Sequence, residues 1–174
     1  MNGIRPASPS EFEEIYAILE TSFPPDERRA KEDQQALLQE ERYTVYVLPD
    51  KETVAGFLTV WQFSDFAVVE HFAVNPAYRN QGLGGKMLAQ LRALLPCRII
   101  LEVELPETDF ARRRIGFYQR NGYTFNEYPY LQPPYSKEKN ALPLRIMSTD
   151  GLLSEPDFHR ITTLMKQEIY KATK

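Results

Sequence analysis

The sequence of 174 residues contains a single cysteine, Cys97, and only two histidines, His71 and His159. One cysteine cannot form an intramolecular disulfide, and this favours a reducing compartment. Two histidines and one cysteine are too few ligands for a zinc site built from these residue types, so we expect no metal. Neither sign of charge dominates, because 21 basic and 24 acidic side chains give a net charge of −3. This balance provides no electrostatic basis for binding nucleic acid or an anionic membrane surface.

Long apolar runs are also missing, and the first residues, Met-Asn-Gly-Ile-Arg-Pro, lack the apolar stretch of a signal peptide. We therefore expect a cytoplasmic protein without a membrane segment. The length fits one domain that is large enough to bury a sizeable core.

One stretch of the sequence joins an apolar strand, a glycine-rich turn and an amphipathic helix. Residues 66–74 are rich in valine and phenylalanine, and Asn75-Pro76 ends this strand. Arg79-x-x-Gly82-x-Gly84-Gly85 then opens a helix whose apolar residues share one face. Such a turn directs free backbone N–H groups and the positive end of the helix dipole at one point, and Arg79 and Lys86 add full charges. The stretch therefore predicts a phosphate-binding loop.

Two familiar classes of phosphate loop fit this stretch poorly. A nucleoside-triphosphate P-loop is excluded, because Asn80 replaces its first glycine and Met87 replaces the hydroxyl that binds magnesium. A dinucleotide-binding loop needs a small third residue where Met87 stands, although Glu102 follows at about the twenty-residue spacing of that motif. Binding of a nicotinamide dinucleotide therefore stays open as a weaker alternative.

The remaining segments predict the elements that surround this stretch. We expect strands near residues 4–6, 43–48, 54–63, 66–74, 98–103, from 123 onward and 141–148. Helices are expected after a capping box at Ser10-x-x-Glu13, over 31–41, after the glycine-rich turn that opens at Arg79–Gly85, over 109–121, and after Ser154. The predicted fold class is α/β of the α+β type, with a mixed, mostly antiparallel sheet of about seven strands and helices on both faces.

Two motifs in this order resemble the GNAT superfamily of acyl-CoA-dependent N-acyltransferases. The first is the Arg79–Gly85 loop after its strand, and the second is Phe117-Tyr118-Gln119-Arg120-Asn121-Gly122-Tyr123, one helix and one strand later. The resemblance covers about residues 3–148, so we predict a GNAT-like N-acetyltransferase domain over 1–148. Residues 149–174 are expected to form a C-terminal helical extension that packs on the same domain or at a subunit interface. The resemblance implies a three-layer α-β-α fold and acetyl-CoA as the cofactor.

By this resemblance, the loop grips the pyrophosphate of coenzyme A and the preceding strand holds its pantetheine arm. The residues implied in cofactor binding are Phe72, Ala73, Val74, Arg79, Asn80, Gln81, Gly82, Leu83, Gly84, Gly85 and Lys86. One departure stands out, since the position where many members have a cofactor-binding asparagine is Ala111.

The predicted catalytic residues are Tyr118 and Glu70. A phenol with an ordinary pKa of about 10 can return a proton to a thiolate that titrates near 8.5, and the family places its tyrosine at the sulfur of coenzyme A. Glu70 lies on the strand before the loop and is the first candidate for the base that takes the proton of the amine, with Glu102 as the second. Because side chains alternate along a strand, we expect only one of Glu70 and His71 to face the pocket.

Further residues are candidates for contacts with the acceptor. Glu102, Trp61 and Tyr130 are proposed to contact the substrate, and Tyr123, Tyr128, Tyr130 and Tyr135 together are a candidate wall of the acceptor pocket. For Trp61 and for these tyrosines, packing within the sheet or on a hairpin is an alternative that the sequence leaves open.

These observations predict an N-acetyltransferase that moves an acetyl group from acetyl-CoA to a primary amine on a small molecule or a peptide. The alternative from another class is a non-catalytic acyl-CoA-binding or sensor module. A cysteine nucleophile built from Cys97 and His71 is less favoured, because the sequence assigns no orienting partner to either residue. We expect a monomer or a homodimer, and the sequence does not identify the acceptor.

Overall fold

The computed structural model describes residues 3–171, and the chain divides into two compact units, one ending at Ile99 and the other beginning at Ile100. The seven strands of this described range belong to one mixed sheet with accompanying helices, so the predicted fold class is confirmed.

Over residues 3–97, the first unit contains four strands in an antiparallel arrangement and three α-helices. The strands are β1 (Arg5–Pro6), β2 (Tyr43–Asp50), β3 (Thr53–Gln62) and β4 (Phe66–Val74), and each pairs with the next one in sequence. The helices are α1 (Phe12–Ser22), α2 (Lys31–Ala36) and α3 (Leu83–Leu94). The bounds of β4 match the predicted strand at both ends.

The core of the first unit centres on β3, whose residues 54–61 are all buried. A strand buried at consecutive positions has both of its faces covered, and this accounts for a run that is apolar except at Thr59. Gly56 lies in this run because a Cβ there would stand 2.8 Å from Sδ of Met87 in α3. The helix that follows the glycine-rich turn therefore packs directly against β3, as a close approach at this glycine requires.

The second unit contains β5 (Arg98–Glu104, beginning at the boundary), α4 (Asp109–Arg120), β6 (Thr124–Gln132), β7 (Leu142–Ser148) and α5 (Glu155–Leu164). β7 pairs antiparallel with both β5 and β6. The predicted cap of α5 is present, because the Ser154 side chain accepts a hydrogen bond from the N–H of Asp157 at 3.2 Å. Helical backbone continues beyond α5 as one π-helical turn over Met165–Ile169.

The predicted helix starts differ from the structure at one place. The capping box lies at Ser8 and Glu11 instead of Ser10 and Glu13, and Glu11 accepts a hydrogen bond from the N–H of Ser8 at 2.8 Å. Arg5 also bonds Glu11 at 2.7 Å, and this interaction lowers the pKa of Glu11 to about 2. The expected helix over 31–41 is shorter than predicted, since α2 ends at Ala36 and a 3-10 turn covers Leu37–Gln39.

Candidate functional site

The exit from β4 is fixed by one side chain, that of Asn75. Its Oδ1 accepts a hydrogen bond from the N–H of Ala77 at 3.1 Å, and its Nδ2 donates to the carbonyl of Val54 at 2.9 Å. The first bond caps a 3-10 turn over Pro76–Tyr78, and the second ties the turn to β3. The Asn-Pro pair therefore sets the direction in which the chain enters the glycine-rich loop.

The loop itself contains two residues with left-handed backbone, Asn80 at φ 65° and Gly82 at φ 72°. Gly82 directly precedes α3, and the N–H of Lys86 is the first to bond back to it, at 3.4 Å. The N–H groups of Leu83, Gly84 and Gly85 lie before this bond and so have no acceptor within the helix.

These groups fit a diphosphate. A Cβ added to Gly82 would meet nothing within 4 Å, so open space lies beside the start of the helix. Amide N–H groups at a helix start, left-handed turns and the helix dipole together favour an anion. The exposed Arg79 and Lys86 flank the loop, and Nε of Arg79 donates to the carbonyl of Val74 at 3.4 Å.

The residues proposed to hold the rest of the cofactor lie at the end of β4. Phe72, Ala73 and Val74 stand opposite Leu58, Phe57 and Gly56 of β3, with Ala73 buried and the other two half-buried. The structure therefore places them next to the loop in the chain, and their contact with the cofactor remains a prediction.

A β-bulge lies in β4 just before these residues. His71 pairs with Thr59, whereas Val69 pairs with Val60, so Glu70 is an extra residue in the strand. A bulge breaks the strict alternation of side chains. As a result Nδ1 of His71 lies 3.9 Å from Oε2 of Glu70, and the expectation that the two side chains point to opposite faces is wrong.

Glu70 is buried and bonded at both carboxylate oxygens. Oε2 lies 2.6 Å from Nη1 of Arg29, and Oε1 accepts a hydrogen bond from Nε1 of Trp61 at 2.7 Å. The Glu70 side chain is 0% exposed and that of Arg29 is 9% exposed, so this ion pair is inside the first unit. The opposite charge of Arg29 compensates the buried carboxylate.

Trp61 lies in the core of the first unit, whereas a residue that contacts the substrate is expected to be accessible. It is 1% exposed, its ring packs against Tyr43 with centroids 5.1 Å apart, and its N–H is bonded to Glu70. The structure thus shows a packing role for Trp61, with its polar end directed at the predicted base.

His71 connects the bulge to the segment between α1 and α2. Its Nε2 bonds the carbonyl of Glu27 at 2.7 Å, which requires the proton on Nε2, and its ring meets that of Phe23 at 4.8 Å. Burial is the main cause that lowers the pKa of His71, and the nearby charge of Glu70 opposes it. The imidazole is therefore neutral at physiological pH.

The second unit contains its own bonded carboxylate, Glu102. Tyr130 donates to its Oε2 at 2.7 Å, Gln132 donates to the same oxygen at 3.2 Å, and Tyr170 donates to its Oε1 at 2.5 Å. The ring of Tyr135 contacts that of Tyr170 at 5.4 Å. Glu102 and Tyr130, two predicted substrate residues, are thus brought together.

Tyr118 lies near the end of α4 and is 4% exposed. Its ring meets that of Tyr123 edge-on with centroids 5.8 Å apart. Ala111, at the position of the family's asparagine, is 2% exposed, and its N–H bonds Oγ1 of Thr108 at 3.0 Å. The backbone N–H of Ala111 therefore takes part in the N-terminal cap of α4.

The four tyrosines proposed as one wall do not share one environment. Tyr130 and Tyr135 belong to the group around Glu102 and Tyr170. Tyr123 is buried against Tyr118, whereas Tyr128 packs on Phe158 of α5 at 4.7 Å and donates to the carbonyl of Leu153. The prediction of a single tyrosine wall is therefore wrong.

Sequence reasoning missed Arg29 and Tyr170, the partners of the two candidate carboxylates. Arg29 lies among charged residues between two predicted helices, and Tyr170 lies beyond the stretch that resembles the family. The sequence carries no spacing signal that pairs either one with a glutamate 41 or 68 residues away.

No helix within residues 3–171 is both long enough and apolar enough to cross a lipid bilayer.

Comparisons with known proteins identify the family of the chain. The family model described as the acetyltransferase (GNAT) family matches residues 12–123, more than half of the chain. An uncharacterised N-acetyltransferase of Bacillus methanolicus, from the region 3′ of lysA, is 32% identical over 97 residues, covering 53% of this chain and 80% of that protein.

Solved structures give the same result. A GNAT-family protein of Bacteroides thetaiotaomicron has a TM-score of 0.90 and 36% identity, covering 97% of this chain and 98% of its own. An aminoglycoside 6′-N-acetyltransferase solved with coenzyme A shares the fold at a TM-score of 0.62 and 13% identity, covering 84% of this chain and 95% of its own. The chain therefore belongs to the GNAT family and is an acetyl-CoA-dependent N-acetyltransferase.

Proposed function

We propose that this protein transfers an acetyl group from acetyl-CoA directly to a primary amine on a small molecule or a peptide. The observation that carries the proposal is the start of α3, where left-handed Gly82 leaves three backbone N–H groups beside open space. Acetyl-CoA supplies an activated thioester, and the residues of the chain bind it, orient it and move protons.

The proposed cofactor site is the stretch from β4 to α3. The amides of Leu83, Gly84 and Gly85 would hold the diphosphate, and Arg79 and Lys86 would add charge at its rim. Exposed side chains contribute mainly to attraction over distance, whereas the amides are fixed by the helix. We expect the backbone of residues 72–74 to hold the peptide-like arm of the cofactor, and a backbone N–H at Phe72 or Val74 to stabilise the charge that develops on the thioester oxygen.

Tyr118 is proposed as the general acid that returns a proton to the departing thiolate. A phenol is a suitable donor because its ordinary pKa is about 10, above the value near 8.5 of a thiol. The burial of Tyr118 in α4 supports a fixed orientation of the ring.

Glu70 is proposed as the carboxylate that takes the proton of the amine. Its place on a bulge, one residue before the strand segment 71–74, supports this role, because bulges redirect side chains near active sites. Glu102 is the second candidate, held by two phenols and an amide in the second unit.

Release of free thiol from acetyl-CoA tests the proposal. The chain is incubated with acetyl-CoA and a panel of polyamines, aminoglycosides, amino acids and peptides with a free N-terminus. We expect thiol release that depends on one class of amine and an acetylated product whose mass rises accordingly. Clear binding of acetyl-CoA without turnover across the panel would contradict the proposal.

That second outcome would favour a non-catalytic acyl-CoA sensor. One observation supports this alternative, since both candidate bases already have hydrogen-bond partners at both carboxylate oxygens. A sensor is expected to bind acetyl-CoA and coenzyme A with clearly different affinities and to release no thiol.

A further inference from the structure

The carboxylate of Glu70 is covered by a cation that belongs to the chain itself. Nη1 of Arg29 lies 2.6 Å from Oε2 of Glu70, and the two side chains are 9% and 0% exposed. Arg29 follows a 3-10 turn over Pro25–Glu27, in the connection between α1 and α2. A molecule that is to give its proton to Glu70 therefore has to reach an oxygen that a guanidinium already occupies.

The charge of the incoming molecule decides whether it can take this place. A buried carboxylate that loses its cationic partner is strongly destabilised. A neutral molecule that pushed Arg29 aside would leave Glu70 in that condition, whereas an alkylammonium group would replace one positive charge by another. Displacement of Arg29 by an alkylammonium group therefore keeps the charge of Glu70 compensated. Displacement by a neutral molecule would leave the buried carboxylate without a cation.

The backbone at Arg29 is held by contacts that do not involve its side chain. Tyr16 donates from its hydroxyl to the carbonyl of Arg29 at 3.0 Å, and His71 bonds the carbonyl of Glu27 at 2.7 Å. Arg28 donates from Nε to the carbonyl of Phe23 at 2.9 Å. These contacts would hold the backbone in place if the Arg29 side chain left Glu70, because none of them involves the Arg29 guanidinium.

We propose that Arg29 determines specificity by holding the place of the acceptor's ammonium group at Glu70, so that only a cationic amine can displace it. This inference rests on the proposed function, in which Glu70 takes the proton of that amine. Once it has replaced the guanidinium, the ammonium group lies beside the carboxylate that deprotonates it. Arg29 also lowers the apparent affinity for every acceptor, because the acceptor binds only the fraction of molecules in which the guanidinium is displaced.

Trp61 provides a reporter at this position. It is the single tryptophan of the chain, and its Nε1–H donates to Oε1 of the same carboxylate at 2.7 Å. The indole N–H therefore gives one NMR resonance whose chemical shift follows the occupant of the other Glu70 oxygen.

The test is chemical rescue of an Arg29→Ala variant, with Arg42→Ala as the control because Arg42 is exposed and contacts Phe63. Guanidinium and urea are the probes, since they share a planar shape and differ in charge. In Arg29→Ala, millimolar guanidinium is expected to shift the Trp61 resonance in a saturable way, and urea is expected to leave it unchanged. In the wild type and in Arg42→Ala, neither probe should shift it.

Steady-state kinetics with the amine found in the thiol-release panel give the second readout. We expect Arg29→Ala to lower KM for a cationic acceptor about tenfold, because the competing guanidinium is gone, with no increase in kcat. If Arg29 only supports the fold around Glu70, KM rises and kcat falls together. Arg29→Gln, which keeps a hydrogen-bond donor near Glu70, replaces Arg29→Ala in both measurements if the alanine variant does not fold.

The proposal is overturned if folded Arg29→Ala or Arg29→Gln responds equally to guanidinium and urea, or to neither. It is also overturned if KM for the cationic acceptor rises. Failure of this proposal can be distinguished from failure of the proposed function. Thiol release with an amine and no rescue leaves the acetyltransferase activity intact without this role of Arg29. Rescue without thiol release means that Glu70 binds a cation but the proposed activity is wrong.

Discussion

Tyr118 and Glu70 are the two side chains on which the proposed chemistry depends, and the structure surrounds them differently. Tyr118 lies among aromatic rings at the end of α4, whereas Glu70 lies in an ion pair with an indole as its second partner. Contacts between aromatic rings hold the Tyr118 ring in one orientation, whereas a bonded carboxylate keeps its position only as long as its partners stay. The two roles should therefore respond differently to substitution.

Tyr118→Phe removes only the hydroxyl and keeps the ring contacts with Phe117 and Tyr123. We expect kcat to fall by roughly 100-fold, as for the loss of a general acid, with the affinity for acetyl-CoA nearly unchanged. Turnover by thiol release and acetyl-CoA binding by calorimetry check this together. An equal loss of both would assign Tyr118 to packing.

His71 gives a prediction on pH and stability at the same bulge. Burial lowers the pKa of the folded-state imidazole below its ordinary 6.5, so below that pH the unfolded chain takes up a proton that the folded chain does not. The free energy of unfolding is therefore expected to fall as the pH drops through 6.5. His71→Gln should remove this contribution.

Urea unfolding of the wild type and His71→Gln at about pH 7.5 and about pH 5.5 measures the effect. Between these two conditions the wild type should lose more of its free energy of unfolding than the variant does. The unfolded chain takes up a proton at His71 that the folded chain binds less readily, and each pH unit of such unmatched protonation costs at most about 1.4 kcal/mol. Parallel losses in both proteins would mean that another group controls this range.

Among the elements, the turn between β4 and α3 was the most readable from the sequence. The valines and phenylalanines of 66–74, the Asn75-Pro76 stop and the glycines each favour the same local structure. β4 has its predicted bounds, and α3 follows the glycine-rich turn as expected. The bulge at Glu70 could not be predicted, because an extra residue in a strand does not change the pattern of an apolar run. The capping box was misplaced because Ser8-x-x-Glu11 and Ser10-x-x-Glu13 have the same pattern. Pro9 at the first helical position favours Ser8 as the cap, and Arg5 adds a bond to Glu11.

Contacts between residues that are far apart in the sequence were the hardest to predict. The pair of Arg29 with Glu70 and that of Tyr170 with Glu102 depend on how helices and loops fold back on the strands. Local propensity and spacing carry no information on such partners, and exposed charges and buried ones look alike in composition. The same limit explains why four tyrosines that are close in sequence fell into different environments.

The loop also gives the sharpest prediction at this scale. Gly82→Ala and Gly151→Ala both place a Cβ on a left-handed glycine, at φ 72° and 85°, with nothing within 4 Å of either Cβ. Each should lose about 1 kcal/mol of stability from backbone strain. Only Gly82→Ala puts a methyl group beside the free amides of α3, so only it should weaken acetyl-CoA binding.

Thermal unfolding and calorimetric titration with acetyl-CoA compare these two glycine variants. We expect similar unfolding temperatures and at least a tenfold loss of affinity, about 1.4 kcal/mol, in Gly82→Ala alone. Unchanged affinity of Gly82→Ala for acetyl-CoA would show that the diphosphate does not bind at this loop.

For the whole molecule, the open question is whether residues 149–174 are an extension or part of the fold. Phe158 of α5 is 5% exposed and packs on Tyr128 of β6, and Tyr170 reaches Glu102 of β5. Ile161 and Met165 are buried in the same region. These contacts are those of a core element of the second unit, and we propose that residues 149–171 fold with it, while residues 172–174 lie outside the described part of the chain.

Phe158→Ala tests this through stability and mass. Truncation of a buried phenylalanine is expected to lower the free energy of unfolding by about 3–5 kcal/mol if the segment packs in the core. Leu152→Ala is the matched control, because Leu152 is 66% exposed in the adjacent turn and its loss should change stability by less than about 0.5 kcal/mol. If the segment instead serves a subunit interface, Phe158→Ala should shift the molar mass by light scattering and make unfolding depend on protein concentration, with little change in the monomer. A large loss of stability at constant mass, in a single cooperative transition, assigns the helix to the core of the enzyme.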